Sequence, residues 1–100
     1  MKTTKTATTI WKFPLSIQES PQFIDMPRGA EILSAQTQGN LLPQLWAKVN
    51  PANGKVARMI YVIGTGWQIE KSVALGRFIG TIQQNSGALI WHVFDGGEVA

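Results

Sequence analysis

The chain has 100 residues, of which 44% are hydrophobic and 15% charged, and nine Lys and Arg against six Asp and Glu give a net charge of +3. These values predict one small globular domain over residues 9–100, preceded by a flexible lead at residues 1–8 that is rich in Thr and Lys. The charge favours anionic partners, but it is too small and too scattered to indicate a nucleic-acid binder.

Residue types and segments that the sequence lacks exclude several kinds of cross-link, catalytic group, metal site and membrane segment. Cysteine is absent, which excludes disulfides, thiolate catalysis and zinc sites that need sulfur. The single histidine, His92, excludes a histidine-rich metal site. The sequence has no apolar run long enough for a signal peptide or a membrane-spanning helix. We therefore expect a cytoplasmic protein with no metal, no cofactor and no membrane partner.

Short apolar runs rich in β-branched and aromatic residues alternate along the chain with Pro, Gly, Asn and Ser. This pattern of apolar runs separated by turn-forming residues predicts an all-β fold, a single small β-sandwich or barrel of about seven short, mostly antiparallel strands. The predicted strands are residues 9–15, 22–26, 31–38, 44–49, 56–63, 76–83 and 88–94. Residues 68–76, QIEKSVALG, are the one stretch where a turn or two of helix is an alternative. Residues 50–55, NPANGK, carry an Asn-Gly pair and give the strongest hairpin signal.

Alternation along these strands assigns their faces, because successive side chains point opposite ways. In the fourth strand residues 45, 47 and 49 form a core face, which leaves Trp46 and Lys48 on the other side. In the fifth and the last strands both alternating sets are apolar. We therefore expect both faces of this part of the sheet to be covered, by a second sheet, by closure of a barrel or by another subunit. Trp11 and Trp91 are expected in the core, and Trp46 and Trp67 are expected to be more exposed.

Residues 64–67, GTGW, pose the main functional question. A glycine-rich loop can hold a phosphate on its backbone N–H groups. This stretch lacks the remaining residues of a dinucleotide or nucleotide triphosphate loop, so a strand end followed by a turn is the simpler interpretation. Its neighbours keep a ligand site open, because Trp67 could stack on a base while Lys71 and Arg77 could reach phosphates. The candidate ligand-binding residues are Thr65, Gly66, Trp67, Lys71 and Arg77, followed by Trp46, Lys48 and Arg58.

Catalytic chemistry has few candidates. The six carboxylates offer no close pair in sequence, which leaves open only a spatial pair such as Asp25 with Asp95. His92 with Asp95 is a candidate acid–base pair for a weak hydrolase, although a hydrogen-bonded structural histidine is the simpler interpretation. We therefore expect a protein that is not an enzyme.

Six stretches of the sequence together carry a resemblance to a known family. They are WKFPL at 11–15, MPRGAEIL at 26–33, LWAKV at 45–49, IGTG at 63–66, FIGTIQ at 78–83 and LIWHVF at 89–94. On these stretches the chain resembles a family of short, uncharacterised proteins of bacteriophages and prophages. The resemblance implies a phage origin and a compact domain, and it transfers no activity and no catalytic residue. The Thr- and Lys-rich lead and the middle loop near 41–44 depart from the pattern.

Two hypotheses follow from the residues and the resemblance together. The mild positive charge, the Trp with Lys pairs at 46/48 and 67/71, the GTG loop and the lack of a catalytic set favour a binder, and small phage accessory proteins without an enzyme signature are often binders that blunt host defence. The first is a non-enzymatic protein that binds and sequesters a small anionic nucleotide-like molecule, an anti-defence sponge that serves immune evasion and self-associates into a homo-oligomer. The alternative is a protein-interaction module that docks on a host or virion protein through an exposed apolar strand edge.

Overall fold

The computed structural model describes residues 7–39 and 42–99, which contain seven β-strands. The strands are β1 Thr9–Pro14, β2 Gln22–Pro27, β3 Glu31–Thr37, β4 Pro43–Val49, β5 Lys55–Gly64, β6 Arg77–Gln84 and β7 Leu89–Glu98. Each predicted strand is present, and the prediction of an all-β fold is confirmed. Of the predicted lead at residues 1–8, residues 1–6 lie outside the described residues.

The strands form two antiparallel sheets that pack face to face as a sandwich. One sheet has three strands in the order β1-β4-β3, and the other has four in the order β2-β5-β7-β6. The core face predicted for β4 is confirmed, because residues 45, 47 and 49 are all buried. Full burial of a leucine or valine side chain, such as Leu45 or Val49, stabilises the fold by about 1.5–3 kcal/mol. The core side chains are Leu15, Met26, Ala30, Ile32, Ala35, Leu45, Ala47, Val49, Ile60, Val62, Ile82 and Val93.

The predicted hairpin at residues 50–55 is wrong, because β4 and β5 belong to different sheets. A two-residue Asn-Gly hairpin needs positive φ at both residues, and neither Asn53 nor Gly54 has it. The turn instead docks on Arg28: the Asn53 side chain donates to the Arg28 carbonyl at 2.8 Å, and the Arg28 N–H donates to the Gly54 carbonyl at 2.9 Å. Consecutive strands pair only as β3–β4 and β6–β7 within the described chain.

The chain between β5 and β6, residues 65–76, crosses the four-stranded sheet; we call it the crossover. β5 and β6 each pair antiparallel with β7, which lies between them, so β5 and β6 are parallel. The crossover contains turns and no helix, so the helical alternative for residues 68–76 is wrong. It covers the outer face of β5, where Tyr61 and Ile63 are half-buried, while Ile60 and Val62 face the core. The expectation of a sheet covered on both faces is met here by a second sheet and by the crossover.

Candidate functional site

The GTGW stretch forms a tight turn at the end of β5. The Trp67 N–H donates to the Gly64 carbonyl at 3.0 Å, and Gly66 has a φ of 89°, as in a type II turn. The Trp67 ring lies on Gly64 so closely that a Cβ at residue 64 would be 2.6 Å from Cε2 of the ring. Both glycines are therefore required by the turn itself, with no ligand needed to explain them.

His92 connects this turn to the neighbouring strands. Its Nε2 lies 2.8 Å from the Thr65 hydroxyl, and its Nδ1 lies 3.2 Å from the Thr81 hydroxyl. Asp95 bonds Arg58 instead, because by strand register it faces the core while His92 faces outward. The pair considered for a hydrolase is therefore not assembled. Asp25 also faces outward, opposite Ala57, so it forms no pair with Asp95.

A shallow recess of about 250 Å³ lies beside the GTGW turn; we call it the turn recess. Thr65 and Trp67 line one side and Leu89, Ile90 and Trp91 the other. The rings of Trp67 and Trp91 meet edge to face with centroids 5.6 Å apart. Within the described part of the chain, no charged side chain lines this recess, so the described residues offer aromatic and hydroxyl contacts there without a cation.

The two candidate arginines meet elsewhere, around Asp95. Arg58 is buried and donates to the Asp95 carboxylate at 2.8 Å and to the Ala30 carbonyl at 2.5 Å. Arg77 lies 3.9 Å from the same carboxylate and donates to the Ile32 carbonyl at 3.2 Å. The Arg58 charge is thus neutralised inside the protein, which removes it from any surface site. A buried, paired arginine of this kind is structural.

The remaining candidates are not brought to the turn recess. Register places Arg77 opposite Asp95 and Gly64 opposite Trp91. These two positions on β7 are roughly 13 Å apart at the usual rise per residue. Lys71 is exposed on the crossover. Trp46 and Lys48 lie on the other sheet, where Lys48 pairs with Glu31 at 3.6 Å. The structure therefore groups Thr65, Gly66 and Trp67, groups Arg58 with Arg77, keeps Trp46 beside Lys48 on the outer face of β4, and leaves Lys71 apart from all of these.

All four tryptophans are half-buried, so the predicted contrast between core and exposed tryptophans holds only in part. Trp11 and Trp91 pack against the core cluster, as expected. Trp67 is not free, because one face of its ring covers Gly64. Trp46 lies on the outer face of β4, opposite Lys12.

An aromatic strip on the outer face of the four-stranded sheet was not found from the sequence. Register aligns Phe78 with Phe94, Phe94 with Tyr61, and Met59 with Phe23, so these five side chains run diagonally from β6 to β2. Phe23 is 59% exposed and Phe78 is 53% exposed. The rings of Phe78 and Phe94 meet edge to face at 5.5 Å. The strand order puts these side chains together, and alternation within single strands gives no signal of that order.

Fixed charges lie at the margin of this strip. Asp25 on β2 and Lys55 on β5 are exposed and face outward beside it. Neither has an ion-pair partner among the residues that the structure describes. The strip itself therefore carries no charged side chain, and at the end formed by β2 and β5 its edge carries one charge of each sign.

Among residues 7–39 and 42–99, no group of three or more His, Asp or Glu side chains could hold a metal ion. None of the described segments is a helix with the length and apolarity needed to cross a membrane.

Comparison with known proteins adds a family and no activity. No curated protein and no solved structure matches the chain. A family model described as a domain of unknown function, DUF7352, matches residues 6–99. Since the match spans nearly the whole chain, this protein belongs to the DUF7352 family.

Proposed function

We propose that this protein is a protein-interaction module that binds its partner through the aromatic strip. The observation that carries the proposal is the exposure of Phe23 and Phe78 at the two ends of the strip. Aromatic side chains at the centre of an interface commonly supply most of its binding energy. An exposed apolar surface rimmed by polar groups is typical of such sites. Of the two hypotheses drawn from the sequence, this observation favours the protein-interaction module over the protein that sequesters a nucleotide-like molecule. The proposed contact surface is the face of a sheet, whereas the sequence-based hypothesis places it at a strand edge.

The biological setting of the proposal comes from the sequence resemblance. We propose that the protein is a phage accessory protein that acts in the cytoplasm of a bacterial host, without catalysis, by occupying a surface of a host or virion protein. The apolar centre of the strip would supply affinity. The marginal charges of Asp25 and Lys55 would set orientation, because rim charges act on association and register more than on affinity.

A second candidate function rests on the turn recess. Its wall of Trp67 and Trp91 suits a planar ring, and stacking on an aromatic side chain contributes roughly 1–3 kcal/mol. The Thr65 hydroxyl lies at the edge of the recess as a polar contact. A small nucleotide-like ligand would fit this recess by its base. Its anionic part would need a cation from a second copy, so sequestration by this route goes together with a homo-oligomer.

Matched variants test the first proposal. Ile10, on the outer face of the other sheet, is 57% exposed and serves as the control for Phe78. We expect Phe78→Ser to weaken binding to the partner by about thirtyfold, the effect of losing a hot-spot side chain worth about 2 kcal/mol, and Ile10→Ser to leave it unchanged. The partner is first identified by capture from host lysate and then titrated in purified form. Equal affinity of the two variants would overturn the proposal.

Sedimentation velocity and a ligand panel separate the other possibilities. A dimer that Phe78→Ser dissociates and Ile10→Ser retains would assign the strip to a second copy. For the turn recess, thermal unfolding is recorded against cyclic and linear nucleotides. A ligand at a hundredfold its Kd adds about 2.7 kcal/mol to stability. That stabilisation should disappear in Trp67→Phe and persist in Trp46→Phe.

A further inference from the structure

A small recess lies under the crossover, next to the aromatic strip; we call it the crossover recess. It has a volume of about 140 Å³. Tyr61 and Ile63 of β5 form one side, and Ile69, Val73 and Leu75 of the crossover form the other. Most of its wall is therefore apolar, and it is formed where the crossover spans the sheet.

The polar part of its lining consists of Glu19, Gln68 and Glu70. An adjoining recess of about 350 Å³ shares Glu19, Ile63 and Gln68 and adds Trp67. Among the residues that the structure describes, no lysine or arginine lines either recess. The charged side chains that line them are both carboxylates, Glu19 and Glu70, on a chain whose net charge is +3. The local charge is thus opposite in sign to that of the protein.

Tyr61 belongs to both the crossover recess and the aromatic strip. It lines the recess, and in the sheet it lies directly opposite Phe94. A partner that covers the strip therefore reaches the mouth of the recess without leaving the surface. Interface anchors typically insert a long side chain into such a pocket beside an apolar contact surface.

From this arrangement we infer that the crossover recess receives a lysine or arginine side chain of the protein that docks on the strip. The inference rests on the proposed function and specifies the chemistry of its partner. The alkyl stem lies against Ile63, Val73 and Leu75, and the cationic head meets Glu19 and Glu70. The Tyr61 ring adds a cation–π contact.

The volume agrees with this occupant. About 140 Å³ corresponds to four or five waters at liquid density, roughly 30 Å³ each. The aminobutyl side chain of lysine has five non-hydrogen atoms and falls in the same size class. A narrow, flexible chain with a charged end is the group that uses both the apolar wall of the recess and its carboxylates.

The test uses the intact protein and N-acetyl-lysine methylamide as the probe. Binding is followed by NMR through the shifts of the Tyr61 ring protons, which lie in the recess. The uncharged control, N-acetyl-norleucine methylamide, has the same stem without the ammonium. We expect saturable binding of the lysine probe and binding of the norleucine probe that is at least fivefold weaker. N-acetyl-arginine methylamide then shows which of the two cations the recess prefers.

Carboxylate variants locate the effect. An exposed carboxylate contributes up to about 1 kcal/mol, which converts to about fivefold in affinity. Glu19→Gln and Glu70→Gln should therefore each weaken the affinity for the lysine probe by up to fivefold. The double variant should weaken it by tenfold or more. Glu31→Gln, an exposed carboxylate on the other sheet, is the control and should change nothing. Equal binding of the lysine and norleucine probes, an unaffected double variant, or no binding of either probe would overturn the inference.

Failure of this inference can be distinguished from failure of the proposed function. Phe78→Ser tests docking on the strip and leaves the recess lining intact. Loss of partner binding in Phe78→Ser with no effect of the two glutamine substitutions would retain the docking surface and reject the cation pocket. Retention of partner affinity in Phe78→Ser would reject the docking surface even where the lysine probe binds.

Discussion

Replacing Arg58 by methionine removes the cation of a buried ion pair and keeps most of the side-chain volume. The Arg58 and Asp95 side chains are 8% and 9% exposed, with nitrogen and oxygen 2.8 Å apart. Removing one partner of a buried pair costs about 3–5 kcal/mol, because the other charge stays buried without compensation. Here the Gly97 N–H, 2.9 Å from Asp95, and Arg77 at 3.9 Å still act on the carboxylate. We therefore expect a loss near the lower end of that range, about 3 kcal/mol.

Thermal and urea unfolding followed by circular dichroism measure this loss. A domain of this size loses about 4–8 °C in Tm per kcal/mol, so Arg58→Met should unfold about 12–24 °C lower than the parent. Asp95→Asn should cost less in the Arg58→Met background than in the parent, with a coupling of about 1–3 kcal/mol. Lys48→Met, which breaks an exposed pair, should change stability by less than about 1 kcal/mol. An Arg58→Met loss as small as that of Lys48→Met would refute the argument that burial governs this pair.

Three further substitutions test local packing, each by urea unfolding against Gly54→Ala, which adds a methyl group where no atom lies within 4 Å. Gly64→Ala should cost about 1–3 kcal/mol and change the tryptophan fluorescence, because the new Cβ would lie 2.6 Å from an indole atom. Gly76→Ala should cost about 3 kcal/mol or more, since its φ is 86° and its Cβ would lie 2.1 Å from a carbonyl oxygen of β7. Trp91→Phe removes the 2.6 Å bond to Gln84 and should cost about 1–3 kcal/mol; an unchanged midpoint would show that water replaces that bond freely.

The strands could be predicted from the sequence because their signals are local. Alternation at residues 45, 47 and 49 identifies a core face within one strand, and that face is buried in the structure. The hairpin predicted at NPANGK is wrong because an Asn-Gly pair indicates a preferred turn conformation. It does not indicate the sheet to which the next strand belongs. Pairing between strands is decided by contacts across the whole domain, and a single sequence carries little record of them.

The candidate site was harder to predict for the same reason. Thr65, Gly66 and Trp67 are neighbours in sequence and stay together in the fold. Arg58 and Arg77 are brought together by the register of β5, β6 and β7, and their meeting point is a buried carboxylate. Phe23 and Phe78 become one surface only because β2 and β6 lie at opposite edges of one sheet. Both arginines do pair with an anion, as their chemistry leads one to expect, but that anion is the Asp95 carboxylate and not a ligand.

The position of β7 has a consequence for how the chain is made. Of the seven strands, β7 is the last that the ribosome synthesises, yet it lies inside the four-stranded sheet between β5 and β6. Until it emerges from the ribosome, β6 has no hydrogen-bonded neighbour in that sheet, Arg58 lacks Asp95, and the apolar inner face of β5 is open along one side. The nascent chain must therefore wait nearly to the end of β7 before it can close its core, and during that interval its strand edges are exposed to chaperones and to other nascent chains.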